Sequence, residues 1–142
     1  MSRDGGCVCG AVRYRVRGDP VRIVACHCTF CRKRTGSAFG VGAYFKAEDV
    51  EFLSGELRSY EHRSDETERW LKVEFCAKCG ANLTWTLEMR PGSRALSAGS
   101  FDDPGWLKPQ AHIWMRSTLH WVEIPEDVAL HPKGSDSKPS RE

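Results

Sequence analysis

Every cysteine in this chain falls in one of three tight groups, Cys7-x-Cys9, Cys26-x-Cys28-x-x-Cys31 and Cys76-x-x-Cys79. Thiols two or three residues apart can converge on one ion, whereas most such pairs are too close for an unstrained disulfide. The total of seven cysteines also cannot close as a complete set of disulfides within one chain. The spacing suggests four ligands plus three. Two pairs would make a closed tetrahedral site of four thiolates, and the triplet a three-ligand site with one position free. A closed site is structural, and an open one supports chemistry.

Cys76-Ala77-Lys78-Cys79-Gly80 reads as a zinc knuckle after a strand: the turn aims both sulfurs inward, and the glycine relieves the backbone where it reverses. A redox pair of thioredoxin type would need a βαβ setting, and the segment from Asn82 reads as a strand. Cys7-Val8-Cys9-Gly10 offers the matching half. In an extended segment its two thiols point the same way, and the site would fasten the N-terminal strand to the middle of a sheet. In the triplet, an extended 26–28 segment puts Cys26 and Cys28 on one face and His27 on the other, with Cys31 returning one turn later. An ion held by three thiolates is suited to capturing an incoming thiol and keeping it ionised. Three other readings stay open on spacing alone. A histidine could complete the triplet as a second closed site, the cysteines could hold an iron–sulfur cluster, or the thiols could be buried without metal.

Around the triplet, Arg32-Lys33-Arg34 is either a solvated run or a positive patch that attracts a carboxylate-bearing ligand. Gly40 and Gly42 share a face of the next strand and allow close approach of a backbone or ligand. His112, expected on a strand face with Trp114 and Arg116, is a candidate acid–base group or fourth ligand of the open site. Arg13, Arg15 and Arg17 line one strand face without interleaved aromatics, so a solvated outer face is expected there rather than a nucleic-acid surface.

The elements that must position these residues are strands. Val12, Tyr14 and Val16 alternate with Arg13, Arg15 and Arg17; Leu71, Val73 and Phe75 with Trp70, Lys72 and Glu74; Leu83, Trp85 and Leu87 with Thr84 and Thr86. Further strands are expected at 21–25, 38–45, 50–53, 57–61, 94–99 and 112–116. A polar loop is expected over 62–69 and a turn at Asp102-Asp103-Pro104-Gly105, with at most a short helical turn after Cys28 or Pro104. This predicts an all-β class. The 142 residues suit one domain, and a formal net charge of +2 is too small to imply a nucleic-acid partner. From His131 the composition predicts a flexible C-terminal tail over 131–142. The opening residues carry no apolar run of signal type and no segment has the length of a membrane span, so a cytoplasmic, reducing setting is expected, where clustered cysteines bind metal.

Taken in order, Gly6-Cys7-Val8-Cys9-Gly10, Cys26-His27-Cys28-Thr29-Phe30-Cys31-Arg32-Lys33, Thr35-Gly36-Ser37, Phe75-Cys76-Ala77-Lys78-Cys79-Gly80-Ala81-Asn82-Leu83 and His112-Ile113-Trp114 resemble the glutathione-dependent formaldehyde-activating enzyme family, also called the centromere-protein-V/Gfa domain. The resemblance covers about residues 4–125. It implies a β-tent of antiparallel sheets with two zinc ions per chain, a structural one on Cys7, Cys9, Cys76 and Cys79 and a catalytic one on Cys26, Cys28 and Cys31. The implied activity is that of a carbon–sulfur lyase acting on the adduct of glutathione with formaldehyde, with a small-molecule thiol as partner; no membrane partner is expected from the lack of a long apolar segment. A non-catalytic zinc-binding module of the same fold that contacts another macromolecule is the alternative.

Overall fold

The computed structural model describes residues 1–140. In chain order the strands are β1 (Ser2–Gly6), β2 (Arg13–Arg17), β3 (Arg22–Cys26), β4 (Gly40–Lys46), β5 (Val50–Ser54), β6 (Leu57–Arg63), β7 (Trp70–Cys76), β8 (Asn82–Leu87), β9 (Ser93–Ser97), β10 (Ala111–Ile113) and β11 (Ala129–Leu130). A single α-helix among the described residues, α1 (Thr29–Thr35), follows Cys28. The chain is therefore mostly β, as the period-two patterning requires. No helix among the described residues is long and apolar enough to cross a membrane.

The chain divides into two compact units. The first comprises Met1–Val21 and Ala43–Trp106. It contains a three-stranded antiparallel sheet in the order β1-β2-β5, and a run of neighbouring strands in the order β4-β9-β8-β7-β6. β6, β7, β8 and β9 pair antiparallel in succession. On β2 the expected alternation holds: Tyr14 and Val16 are fully buried, as is Val12 just before the strand. The outward arginines meet acidic partners, Arg13 on Asp102 and Arg15 on Asp4 at 2.8 Å. Tyr14 is the hinge of this core. Its ring meets Phe101 edge-on at 5.4 Å, and its hydroxyl lies 2.7 Å from the Ser100 Oγ. A Cβ at Gly5 would stand 2.3 Å from that hydroxyl, so only glycine fits opposite it.

The alternation is less simple on β7 and β8. The register between these strands shifts at Glu74/Phe75, and such a bulge sets two residues against one. Cys76 is buried beyond it, while Phe75 is only half-buried. On β8 Thr84 is buried along with Leu83 and Trp85, because its hydroxyl donates to the Ala95 carbonyl at 2.8 Å. That bond removes the cost of burying the hydroxyl.

The second unit comprises Arg22–Gly42 and the chain from Leu107 onward. Its strands lie in the order β11-β10-β3, and both pairings are parallel. A wholly antiparallel arrangement is therefore departed from at β10. The strand expected over 112–116 ends at Ile113, because Trp114 takes a left-handed conformation at φ 57° and a short 3₁₀ turn, Met115–Ser117, follows. His112, Trp114 and Arg116 consequently do not line one strand face. Residues 131–133 hydrogen-bond back to this segment, with Trp114 N donating to Lys133 O at 2.7 Å and His131 N to His112 O at 2.8 Å. Of the stretch expected as a tail, residues 141 and 142 lie outside the described residues.

Gly55 tests how tightly the β2–β5 corner is built. It sits at φ +88°, and a Cβ there would stand 2.5 Å from the Ala11 carbonyl oxygen. Gly55→Ala should cost about 1–3 kcal/mol, measured by urea unfolding. Gly99→Ala, where nothing lies within 4 Å and φ is not left-handed, should stay within about 0.5 kcal/mol.

Candidate metal centres

Two groups of thiols converge. Cys7, Cys9, Cys76 and Cys79 bring their sulfurs within 4.8 Å of one another, and so do Cys26, Cys28 and Cys31. Both groups could hold a metal ion. The cysteine spacing groups the same residues, four and three.

The four-thiol group is built from two matching turns in the first unit. Cys7 N donates to Val12 O at 3.1 Å, and Gly10, at φ +80°, closes the turn by donating to Cys7 O at 3.2 Å. Cys76 N donates to Ala81 O at 3.0 Å, and Gly80, at φ +78°, donates to Cys76 O at 2.9 Å. Cys7-Val8-Cys9 is thus a turn, not the extended segment expected, because the left-handed Gly10 reverses the chain. In each turn the first sulfur accepts backbone N–H groups: Val12 N to Cys7 Sγ at 3.2 Å, and Lys78 N and Cys79 N to Cys76 Sγ at 3.3 and 3.4 Å. Such donors stabilise thiolates. Burial raises the Cys7 thiol, but the Val12 N–H and the neighbouring thiols outweigh it and bring its pKa down to about 6. Cys76 is buried, whereas Cys9 and Cys79 are exposed.

The triplet belongs to the second unit. Cys26 ends β3, and Cys28, extended at φ −65° and ψ 158°, is the N-cap of α1. Its sulfur accepts the Cys31 N–H at 3.2 Å, so capping the helix and joining the cluster are one arrangement. α1 ends at Gly36 (φ 70°), with Arg32, Lys33 and Arg34 in its last turn, where cations complement the exposed carbonyls. At Gly40, itself in the second unit, the nearest atoms to a would-be Cβ belong to Arg34, Thr35 and Cys31, so the missing side chain lets the backbone there pass close to α1. The three thiols are shifted in opposite directions. Hydrogen bonds from Cys26 and Cys31 bring the Cys28 pKa down to about 3, and the bond to Cys28 is the largest of the effects that push Cys26 well above its ordinary value.

His27 points away from the thiols, as an extended segment demands. It is fully buried, its Nε2 lies 2.8 Å from Nδ1 of His112, and the Phe39 ring packs on it at 4.8 Å. Burial, then the neighbouring His112, lowers its pKa to about 4. The sequence singles out His112 but does not pair it with His27. The alternation within Cys26-His27-Cys28 puts His27 on the face opposite the thiols, and only the parallel β3–β10 pairing reveals its partner.

Closing the four-thiol group links residues 67 positions apart, Cys9 and Cys76, whose sulfurs are 3.8 Å apart. The triplet closes only a local loop. By loop-closure entropy the first closure should stabilise the fold by roughly 2 kcal/mol more than the second. Cys79→Ser and Cys28→Ser should each lower metal content by one ion per chain in elemental analysis, with Cys79→Ser producing the larger fall in thermal midpoint.

Comparison with known proteins points one way. The sequence profile described as "GFA: Glutathione-dependent formaldehyde-activating enzyme" matches residues 2–117. A Halomonas elongata protein named "Putative glutathione-dependent formaldehyde-activating enzyme" is 28% identical over 129 residues, covering 87% of this chain and 82% of that protein. A Colletotrichum graminicola protein of the same name is 25% identical over 139 residues, covering 89% of this chain and 68% of that protein. The crystal structure of a Rhodobacter sphaeroides protein shares the fold, with a TM-score of 0.57 and 24% identity, covering 75% of this chain and 91% of that one.

Proposed function

Because the chain belongs to the glutathione-dependent formaldehyde-activating enzyme family, we propose that it is a zinc-dependent carbon–sulfur lyase that makes and breaks the adduct of a glutathione-like thiol with a small aldehyde such as formaldehyde. In this reading Cys7, Cys9, Cys76 and Cys79 hold a structural zinc, and Cys26, Cys28 and Cys31 hold the catalytic one. The observation that carries it is the difference between the two clusters. Four sulfurs converge in the first; in the second, three converge, and among the described residues no histidine, carboxylate or fourth thiol joins them within the same spacing. Four thiolates complete a tetrahedral site, whereas three leave room for an incoming ligand.

Zinc at the triplet would supply a positive charge that favours the ionised form of an incoming thiol. The chain does the rest. Cys28, fixed by the Cys31 N–H at the start of α1, holds its sulfur in one place while the thiol exchanges. Arg32, Lys33 and Arg34, directly after Cys31 in the helix, provide a positive field for the carboxylates of a glutathione-like tripeptide. In the forward direction the thiolate sulfur forms a bond to the aldehyde carbon, the carbonyl electron pair moves to oxygen, and that oxygen takes up a proton. The lyase direction reverses each change. A reducing, cytoplasmic setting belongs to this reading, since clustered cysteines there more often bind metal than pair.

The test is exchange NMR on glutathione mixed with formaldehyde. Metal-loaded protein should speed exchange between free and adduct forms by at least about tenfold, a barrier lowered by roughly 1.4 kcal/mol. Cys28→Ser should abolish the acceleration. No acceleration with glutathione or any of several other thiols and aldehydes would rule the enzymatic reading out and leave the non-catalytic zinc module.

A further inference from the structure

The residue between the first two thiols of the triplet is a histidine with no exposure, and its partner His112 is only 5% exposed. Burying two imidazoles is costly unless their polar atoms are satisfied. Nε2 of His27 and Nδ1 of His112 satisfy each other at 2.8 Å. Among the described residues Nδ1 of His27 has no hydrogen-bond partner. An orphaned buried N–H is rarer than a bare acceptor, so His27 carries its proton on Nε2 and donates it to Nδ1 of His112. That bond fixes His112 as the tautomer with its own proton on Nε2.

The strand register places this pair relative to the thiols. β10 runs parallel to β3 with His112 opposite Ala25 and Ile113 opposite Cys26. Side chains alternate along strands, so His112 shares a face with Ala25 and His27, while Cys26 and Cys28 project from the other. The His27 backbone N–H also donates to Ile113 O at 3.0 Å. The Cys26-His27-Cys28 segment is thus held to β10 by its backbone and, from behind, by an imidazole pair. Neither imidazole belongs to the converging sulfur set.

We infer that His27 and His112 are a positioning pair: their hydrogen bond clamps the Cys26-His27-Cys28 segment to β10 from the face opposite the thiols and fixes the spacing at which Cys26 and Cys28 meet a metal. This rests on the reading of the triplet as a metal site, and it moves His112 from acid–base donor to support. It also accounts for a fully buried histidine at this position: an aliphatic side chain would leave His112 Nδ1 without this bond.

The test uses cobalt(II)-loaded full-length protein, with release to EDTA followed by loss of the thiolate-to-cobalt absorption. The phase missing from Cys28→Ser identifies the triplet. A glutamine amide reaches to where Nε2 stands and an asparagine amide to where Nδ1 stands, so His27→Gln and His112→Asn can keep the bond, whereas His27→Asn and His112→Gln cannot. The mismatched variants should release triplet cobalt about tenfold faster, and the matched ones should stay within about threefold of wild type. The four-thiol phase should be unmoved in all. Release unchanged in all four variants, or faster by the same factor in all four, overturns the inference. It is also overturned if His112→Asn abolishes thiol–aldehyde exchange while cobalt release stays at the wild-type rate, the signature of a direct proton donor. Wild-type protein with no triplet phase overturns the metal reading itself, which distinguishes that failure from failure of the histidine pair.

Discussion

Gathering sulfur atoms that would rather ionise apart is the constraint on which the rest of this molecule depends. Four thiols within 4.8 Å of one another cannot all be charged unless something positive meets them, and backbone N–H groups supply part of that. The two turns that carry them are the same device made twice: a first cysteine whose sulfur collects amide hydrogens, a second cysteine, and a left-handed glycine that turns the chain away. A cation would complete what the amides begin. The sheets around the turns follow from this. β2 starts three residues after Gly10 and β8 two residues after Gly80, so each turn delivers its chain directly into a strand.

The triplet answers the same constraint with fewer sulfurs and a helix. Capping α1 with a thiol instead of a hydroxyl makes one interaction serve both the helix terminus and the cluster. The hydrogen bonds among the three sulfurs push Cys28 down, while Cys26 and Cys31 are raised. What separates the triplet from the four-thiol site in the structure is the number of sulfurs that converge, three against four.

Much of this was legible in the residues. The cysteine spacing assigned all seven thiols to their clusters, and period-two alternation found most of the strands, because both are local properties of the chain. What escaped was decided at longer range or by single backbone angles. Cys7-Val8-Cys9 reads as extended until Gly10 is seen at φ +80°. The register shift at Glu74/Phe75 separates Phe75 from the buried face that simple alternation gave it. His112 was read on a strand that Trp114 in fact ends, and its parallel neighbour lies 87 residues earlier in the pairing of Ala111 with Val24. No local pattern announces such a pairing, and the His27–His112 bond is invisible without it.

That pairing sets a timetable for a chain made from its N-terminus. The last thiol of the four-sulfur group is residue 79, so this cluster has all its parts once the second knuckle has been synthesised. The triplet is complete in sequence by residue 31, yet β3 has no β10 beside it until residues 111–113 exist. Contacts of high sequence separation are slow to form, and domains emerging from synthesis fold as their segments arrive. The site with the fewest sulfurs and the shortest local span is therefore the later to be framed. A nascent chain truncated before β10 holds all four sulfurs of the larger cluster, but its three-thiol cluster still lacks the strand that pairs beside β3.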